Sequence, residues 1–388
     1  MNDWEIYAVL AALVMALAAL GFSISAWRAR PAAGVATRMP GGGAQAVQVP
    51  AAQKVAFVAN PSKPDVVALR PAIEHACQRL GLEAPLWLET TKEDPGTGQA
   101  REALAQGADV VVAIGGDGTV RAVAEGMLNT GKPMGLLPSG TGNLLARNLD
   151  IPVTDLDEAL LIALEGRDRK IDIGWLKVLE ADDHPEKVDT VVGQIEPAPS
   201  GSQHLFLVIA GVGFDAAMVA DTDSHLKARV GWIAYFVAAL RHLHGKRLDM
   251  TVRLDDGSAL SAKVRTILFG NCGRLPGGIT LLPDAVIDDG VMDVAAIDTR
   301  GGVAGWAQLF GEVVMQGWGL RNDLAGKIGK IEHTQCKRAV VDIPDGEQAQ
   351  VDGEVIGRAK KVEAWIEPSA LIVRASAKIS LNLAPAEQ

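Results

Sequence analysis

The stretch Val110-Val111-Val112-Ala113-Ile114-Gly115-Gly116-Asp117-Gly118-Thr119 decides the fold class. Its first five residues form a continuous apolar run closed by glycine, the pattern of a parallel strand buried on both faces. The residues that follow, Val120 to Leu128, have helical character, so the glycines sit where a strand hands over to a helix. That turn is where α/β proteins place phosphate groups. Glycine lets backbone N–H groups approach an anion with no Cβ in the way. Asp117 adds a negative charge that a bare anion site would exclude. Its use beside a polyphosphate is to hold a metal ion.

Working outward, Lys54 to Ala59 reads as a strand that ends at Asn60-Pro61, and Val66 to Leu80 as a helix. Ala84 to Leu88 is a strand, Gln99 to Gln106 a helix stopped by Gly107, and Met134 to Leu137 a short strand. This β-α-β order predicts a parallel sheet with helices on both faces. A second glycine-rich segment, Pro138-Ser139-Gly140-Thr141-Gly142-Asn143-Leu144-Leu145-Ala146-Arg147, follows the Met134–Leu137 strand and opens another helix. Two such turns in adjacent βα units would meet at the carboxyl edge of one sheet. Ser139, Thr141 and Asn143 add neutral donors, and the pair suits a nucleotide polyphosphate. Either turn alone could be an ordinary capped turn.

After Lys170 the grain changes. Strands are expected at Ile171–Leu179, Leu205–Ala210, Leu248–Leu254, Ser261–Asn271, Val291–Ile297, Arg338–Ile343, Ala349–Val351, Lys361–Ile366 and Leu371–Ala375. Turn signals such as Asp256-Gly257 and Asp289-Gly290 separate several of them, which predicts an antiparallel sandwich or barrel. Helices are expected near Ala228–His244 and Gly305–Gly317, and Glu180–Gln203 reads as an extended surface loop. Gly126 to Lys132 has Walker A spacing, but Pro133 stands where a hydroxyl should hold magnesium.

The chain has 388 residues, 48% hydrophobic, with 42 glycines and a net charge of −10. That charge argues against nucleic acid as a partner. Cys77, Cys272 and Cys336 are scattered and odd in number, which supports core thiols rather than a disulfide framework or a zinc site. Ile6 to Trp27 is an uncharged run of 22 residues, long enough to cross a bilayer. Trp4, Tyr7 and Trp27 sit at its ends, and Arg28, Arg30 and Arg38 follow it. The expectation is an uncleaved single-pass anchor in the cell membrane, with the rest of the chain in the cytoplasm. Pro31 to Gln53 reads as a flexible tether.

The two glycine turns together resemble the diacylglycerol kinase catalytic domain family, which includes bacterial lipid kinases and the sphingosine and ceramide kinases. Asn60-Pro61, Ile171-Asp172-Ile173-Gly174, Gly211 to Ala216, Gly231 to Tyr235, Asp284 to Gly290 and Val351-Asp352-Gly353-Glu354 follow in the family's order. The resemblance covers residues 54 to 376. It implies ATP and Mg²⁺ as cofactors, with Gly115, Gly116, Gly118 and Thr119 cradling phosphates and Asp117 on the catalytic Mg²⁺. Asn60 and Thr91 (or Thr90) would lie near the nucleotide, as would Gly140, Thr141 and Asn143. Glu354 matches the family's proton acceptor, with Asp352 its competitor. An Asp-Gly hairpin turn is the simpler reading of both. Asp172 could reach the site from the crossing between domains. Asp289, with the carbonyls of Val286 and Val291, matches a second metal site, against a plain solvated turn. Bacterial members commonly carry an aspartate where this chain has Leu144, and the sphingosine and ceramide kinase branch carries an apolar residue there.

The expected fold is therefore α/β plus all-β: a parallel α/β nucleotide-binding domain, then a β-sandwich-like domain, preceded by one transmembrane helix. The divisions are 1–28 anchor, 29–53 linker, 54–168 nucleotide-binding domain, 169–376 β-rich domain with its last strands returning towards the first, and 377–388 tail. The expected function is ATP-dependent phosphorylation of a membrane lipid, diacylglycerol giving phosphatidic acid. The alternatives are a long-chain-base kinase, a NAD kinase-like enzyme and a non-catalytic lipid or nucleotide sensor. The implied partners are the lipid substrate and the bilayer, with a homodimer allowed. Trp232, Ile233, Phe236, Val237 and Leu240 are candidates for lining the acceptor pocket, or for plain core.

Overall fold

A computed structural model describes residues 53–62, 64–183, 197–213, 247–275, 280–299 and 329–376. The expected membrane helix lies outside them, as do most of the linker, both expected helices near 228–244 and 305–317, the pocket candidates from Trp232 to Leu240, the motif residues Phe214 to Ala216 and the tail. Among the described residues no helix is long and apolar enough to cross a membrane.

The first half alternates strand and helix: β1 (Val55–Ala59), α1 (Pro64–Arg79), β2 (Leu86–Glu89), α2 (Thr97–Ala105), β3 (Val110–Gly115), α3 (Asp117–Met127), β4 (Pro133–Pro138), α4 (Leu144–Asn148) and α5 (Leu156–Glu165). β1, β3 and β4 are buried along their whole length, as strands covered on both faces must be. β1 pairs in parallel with β2 and β3, and β3 with β4, with Gly115 opposite Pro138. The carboxyl ends of β3 and β4, each leading into a glycine turn, are thus immediate neighbours. α5 was not expected from the sequence. Asp155 caps it by accepting the N–H of Glu158 at 3.0 Å.

The second half is strand-rich: β5 (Arg167–Ala181), β6 (Gln203–Phe206), β7 (Ile209–Gly213), β8 (Leu248–Leu254), β9 (Leu260–Val264), β10 (Thr266–Gly270), β11 (Met292–Thr299), β12 (Gly329–Cys336), β13 (Arg338–Val351) and β14 (Glu354–Ala375). The whole is a mixed sheet. Its main path runs β12-β11-β10-β7-β13-β14-β4-β3-β1-β2, with β5, β6, β8 and β9 branching from it. β14 is the hinge strand of this arrangement. It pairs antiparallel with β13 and β5, and near its end in parallel with β4, Ile372 opposite Pro133. One apolar core fills the α/β half around Phe57, Ile114, Met134 and Leu145. A second, around Phe206, Phe269, Met292 and Val341, fills the β-rich half.

Several strands differ from their sequence expectation. The pairs expected at 338–343 and 349–351, and at 361–366 and 371–375, are each one long strand, bent at register shifts rather than broken. Leu205–Ala210, expected as one strand, is two. It breaks at Leu207–Val208 because those N–H groups turn to a carboxylate, described below. Of the expected surface loop 180–203, Ala181 ends β5 and Gln203 begins β6.

Candidate active site

The two glycine turns touch. Ser139 N donates to Gly115 O at 3.0 Å. A Cβ built on Gly140 would lie 2.6 Å from the Cα of Gly116, a clash with backbone that only glycine avoids. Asn143 adopts the left-handed conformation, φ 49°, and its side chain closes the second turn on itself. Its Oδ1 accepts from Gly140 N and its Nδ2 donates to Gly140 O, both at 2.8 Å. The Asn143 amide is therefore spent on the turn. Arg147 Nε adds a bond to Gly142 O at 2.8 Å.

Asp117 stands at the start of α3 and joins the turns through its side chain. Its Oδ2 accepts the N–H of Asn143 at 3.0 Å and its Oδ1 that of Leu144 at 2.6 Å. A Cβ on Gly142 would approach the same carboxylate to 2.5 Å. Burial, with the charge of Asp352, pushes the Asp117 carboxyl above the usual carboxylate range, and the N–H bonds oppose this only in part. Over Gly118 there is open space, with no atom within 4 Å of where a Cβ would stand. Thr119 is buried, its Oγ1 accepting from Asn60 Nδ2 at 3.3 Å, so the end of β1 is tied to the same loop. Thr90 is buried. Thr91 is exposed and caps the next turn, its Oγ1 accepting from Asp94 N at 3.0 Å.

The Asp-Gly-Glu segment arrives from the other half. Asp352 (φ 47°) and Gly353 (φ 83°) form the tip of the hairpin between β13 and β14, both in the left-handed region that a two-residue turn requires. The hairpin reading and the site reading therefore hold together. The Asp352 carboxylate accepts three backbone N–H groups, from Leu207 at 2.7 Å, Val208 at 2.9 Å and Ile209 at 3.0 Å. This is what interrupts the strand expected across 205–210. Burial raises the Asp352 carboxyl, against those N–H groups and the Arg121 cation. Glu354, one residue past the tip, is exposed and forms an ion pair with Arg121 of α3. Thus the Asp352–Glu354 hairpin meets the start of α3, where Arg121 binds Glu354 and the charge of Asp352 reaches Asp117, although 235 positions separate Asp117 from Asp352 in the chain.

Asp172 sits beside this group with both oxygens engaged. Gly290 N donates to it at 2.6 Å and Ser369 N at 2.7 Å. Asn271 Nδ2 bridges the carbonyls of Asp172 and Leu207, linking it to the Asp352 anchor through the backbone. Asp289 lies apart on an exposed turn, where its Oδ1 accepts from Val291 N at 3.1 Å and Val286 is exposed.

A magnesium ion shared with nucleotide phosphates needs only one or two protein carboxylates. Asp117 fits that demand, since it is a half-buried carboxylate at the start of α3 raised by desolvation and by the charge of Asp352. Among the described residues no group of three or more His, Cys, Asp or Glu side chains converges, so the phosphates and water would supply the other oxygens.

Residues 54–176 match the model of the diacylglycerol kinase catalytic domain, and residues 208–375 that of the YegS C-terminal NAD kinase beta sandwich-like domain. Over residues 54–176 the chain carries a diacylglycerol kinase catalytic domain. Among curated relatives, the diacylglycerol kinase of Mycobacterium tuberculosis (strain CDC 1551 / Oshkosh) is 30% identical over 201 residues, 51% of this chain and 58% of that one. The "Probable lipid kinase YegS-like" protein of Yersinia enterocolitica is 29% identical over 197 residues, 50% of this chain and 58% of its own length. The match thus spans little more than half the length of these family members. A crystal structure of a diacylglycerol kinase from Bacillus anthracis str. Sterne superposes with a TM-score of 0.57 at 17% identity, over 84% of this chain and 97% of that one. At that identity it establishes the shared fold.

Sequence reasoning singled out the two loops by their glycines after apolar strands, and the Asp-Gly-Glu segment only through the family resemblance. It missed Arg121, a residue in a helical run that carries no motif, and it missed the engagement of Asp117 with the second turn.

Proposed function

We propose that this protein is an ATP-dependent lipid kinase that transfers the γ-phosphoryl group to a hydroxyl of a membrane lipid, with diacylglycerol the first candidate. The observation that carries the reading is the meeting of Asp117, on the first glycine turn, with the Asp352–Glu354 hairpin. A phosphate loop and an exposed carboxylate thereby share one site. The N–H groups at the start of α3, beside the open space over Gly118, would hold the phosphates. Mg²⁺, held by Asp117, would neutralise the charge that develops on them. Of the two acids in the hairpin, Glu354 suits the role of base better, because the Asp352 oxygens are occupied by three N–H groups. As the lipid oxygen bonds to the γ-phosphorus and the bond to the β-phosphate oxygen breaks, the hydroxyl proton passes to Glu354. Leu144, apolar as in the sphingosine and ceramide kinase branch, supports a long-chain amino alcohol as the second acceptor. The apolar run Ile6–Trp27 supports a tether at the membrane where such substrates reside.

Labelled ATP with Mg²⁺, offered a panel of diacylglycerol, long-chain bases and NAD, tests the proposal. Label in phosphatidic acid is the expected result. Label only in NADP, or in no lipid, would refute it.

A further inference from the structure

Arg121 lies one helical turn beyond Asp117, on the same side of α3. Its side chain is only 20% exposed. Nη1 donates to the carbonyl oxygen of Val351 at 3.1 Å, and Nη2 donates to Glu354 Oε2. These two acceptors flank the Asp352–Gly353 tip, so one planar guanidinium grips both strands of the hairpin. A rigid fork of donors suits that geometry, whereas a lysine could make only one such bond well. The hairpin is held from its other side by the Asp352 carboxylate on Leu207, Val208 and Ile209. Glu354 itself is 63% exposed and would otherwise be free to sample several rotamers.

We propose that Arg121 is a positioning residue that latches the Val351–Glu354 hairpin onto the phosphate-loop helix and holds the Glu354 carboxylate within reach of the transferred phosphoryl group. The role in transfer rests on the kinase reading above; the latch itself does not. The same cation also lowers Asp352 and His204 from the values that burial alone would set, so its charge is felt across the site. An ordinary surface ion pair would contribute little. This one is two-pronged, half-sheltered and joins the two halves of the site.

The test uses the full chain with isotope-labelled arginine. The latch predicts hindered rotation of the Arg121 guanidinium, with separate signals for its two Nη groups, identified by their loss in Arg121→Lys. In Glu354→Gln, which leaves Arg121 in place, the two signals should merge. A freely rotating Arg121 in the natural protein would overturn the latch whether or not any lipid is phosphorylated. For the transfer role, Arg121→Gln should lower kcat about 10²-fold, the scale of a misplaced catalytic group, with KM for ATP little changed. Arg121→Lys should recover part of the loss. Adding Arg121→Gln to Glu354→Gln should cost less than about twofold more, because residues that act as a unit are not additive. Fully additive losses would show that Arg121 does not act through Glu354, and the proposal would fall. A natural protein that phosphorylates no lipid would sink the function proposed above, while the guanidinium signals still decide the latch.

Discussion

Each oxygen of Asp117 accepts a backbone N–H, yet burial and the charge of Asp352 still push its carboxyl above the ordinary aspartate value of 3.8. The direction has two consequences. A carboxyl raised in the folded state is bound to its proton more tightly there than in the unfolded chain. Its contribution to stability is therefore full below pH 3.8 and is lost as pH rises through the folded value. In metal-free protein, urea midpoints should fall more steeply with pH above 3.8 in the natural chain than in Asp117→Asn, which has no proton to lose there. Equal slopes would mean that Asp117 ionises as freely folded as unfolded. Asp117→Asn should also abolish phosphoryl transfer, since an amide offers a metal one weak oxygen. The demand for charge at this residue was legible in the sequence, because an aspartate amid phosphate-loop glycines has few other uses. Its bonds to Asn143 and Leu144 were not, since they depend on how closely two turns pack.

At the scale of elements, Asp172 shows how one side chain can secure three segments. It sits on β5, and its oxygens hold Gly290 at the turn before β11 and Ser369 within β14, where the pairing of β14 with β5 shifts register between Glu367 and Leu371. Removing it leaves two part-buried N–H groups without acceptors, each costing about 1–3 kcal/mol. Asp172→Ala should therefore lower the unfolding free energy by about 3 kcal/mol, read from urea unfolding, with transfer per folded molecule largely kept. Unchanged stability with lost transfer would place Asp172 in the chemistry instead. The strands of the α/β half were legible to within two residues, because short apolar runs bounded by turn residues leave little choice. In the β-rich half most strands were legible, but β12 was not expected and the breaks were not legible. β13 and β14 pass through polar residues without stopping, and β6 and β7 part where the Asp352 carboxylate captures three N–H groups. Both outcomes are set by partners distant in sequence.

The molecule as a whole is built so that two cores share one sheet. β14 runs from the Asp352–Glu354 hairpin, through its pairing with β13, to the start of β4 in the parallel sheet, so the hairpin and the strand that leads into the second glycine turn belong to one continuous hydrogen-bonded frame. Among the described residues the core runs from Val55 to Ala375. The apolar run Ile6–Trp27 lies within the first 50 residues. Deleting them should leave the thermal midpoint within about 2 °C, the scale of changes that touch no core. The truncated chain should phosphorylate detergent-dispersed diacylglycerol at the full rate. On vesicles it should be slower by a factor approaching 10², because a tether raises the local concentration of enzyme at the surface without adding a contact to the site. Co-sedimentation with vesicles in high salt should likewise be lost, since a spanning helix resists salt and an electrostatic surface contact does not. If the truncated chain still sediments with vesicles at high salt and keeps its rate on them, the membrane contact belongs to residues 51–388, and the apolar run Ile6–Trp27 serves some other purpose.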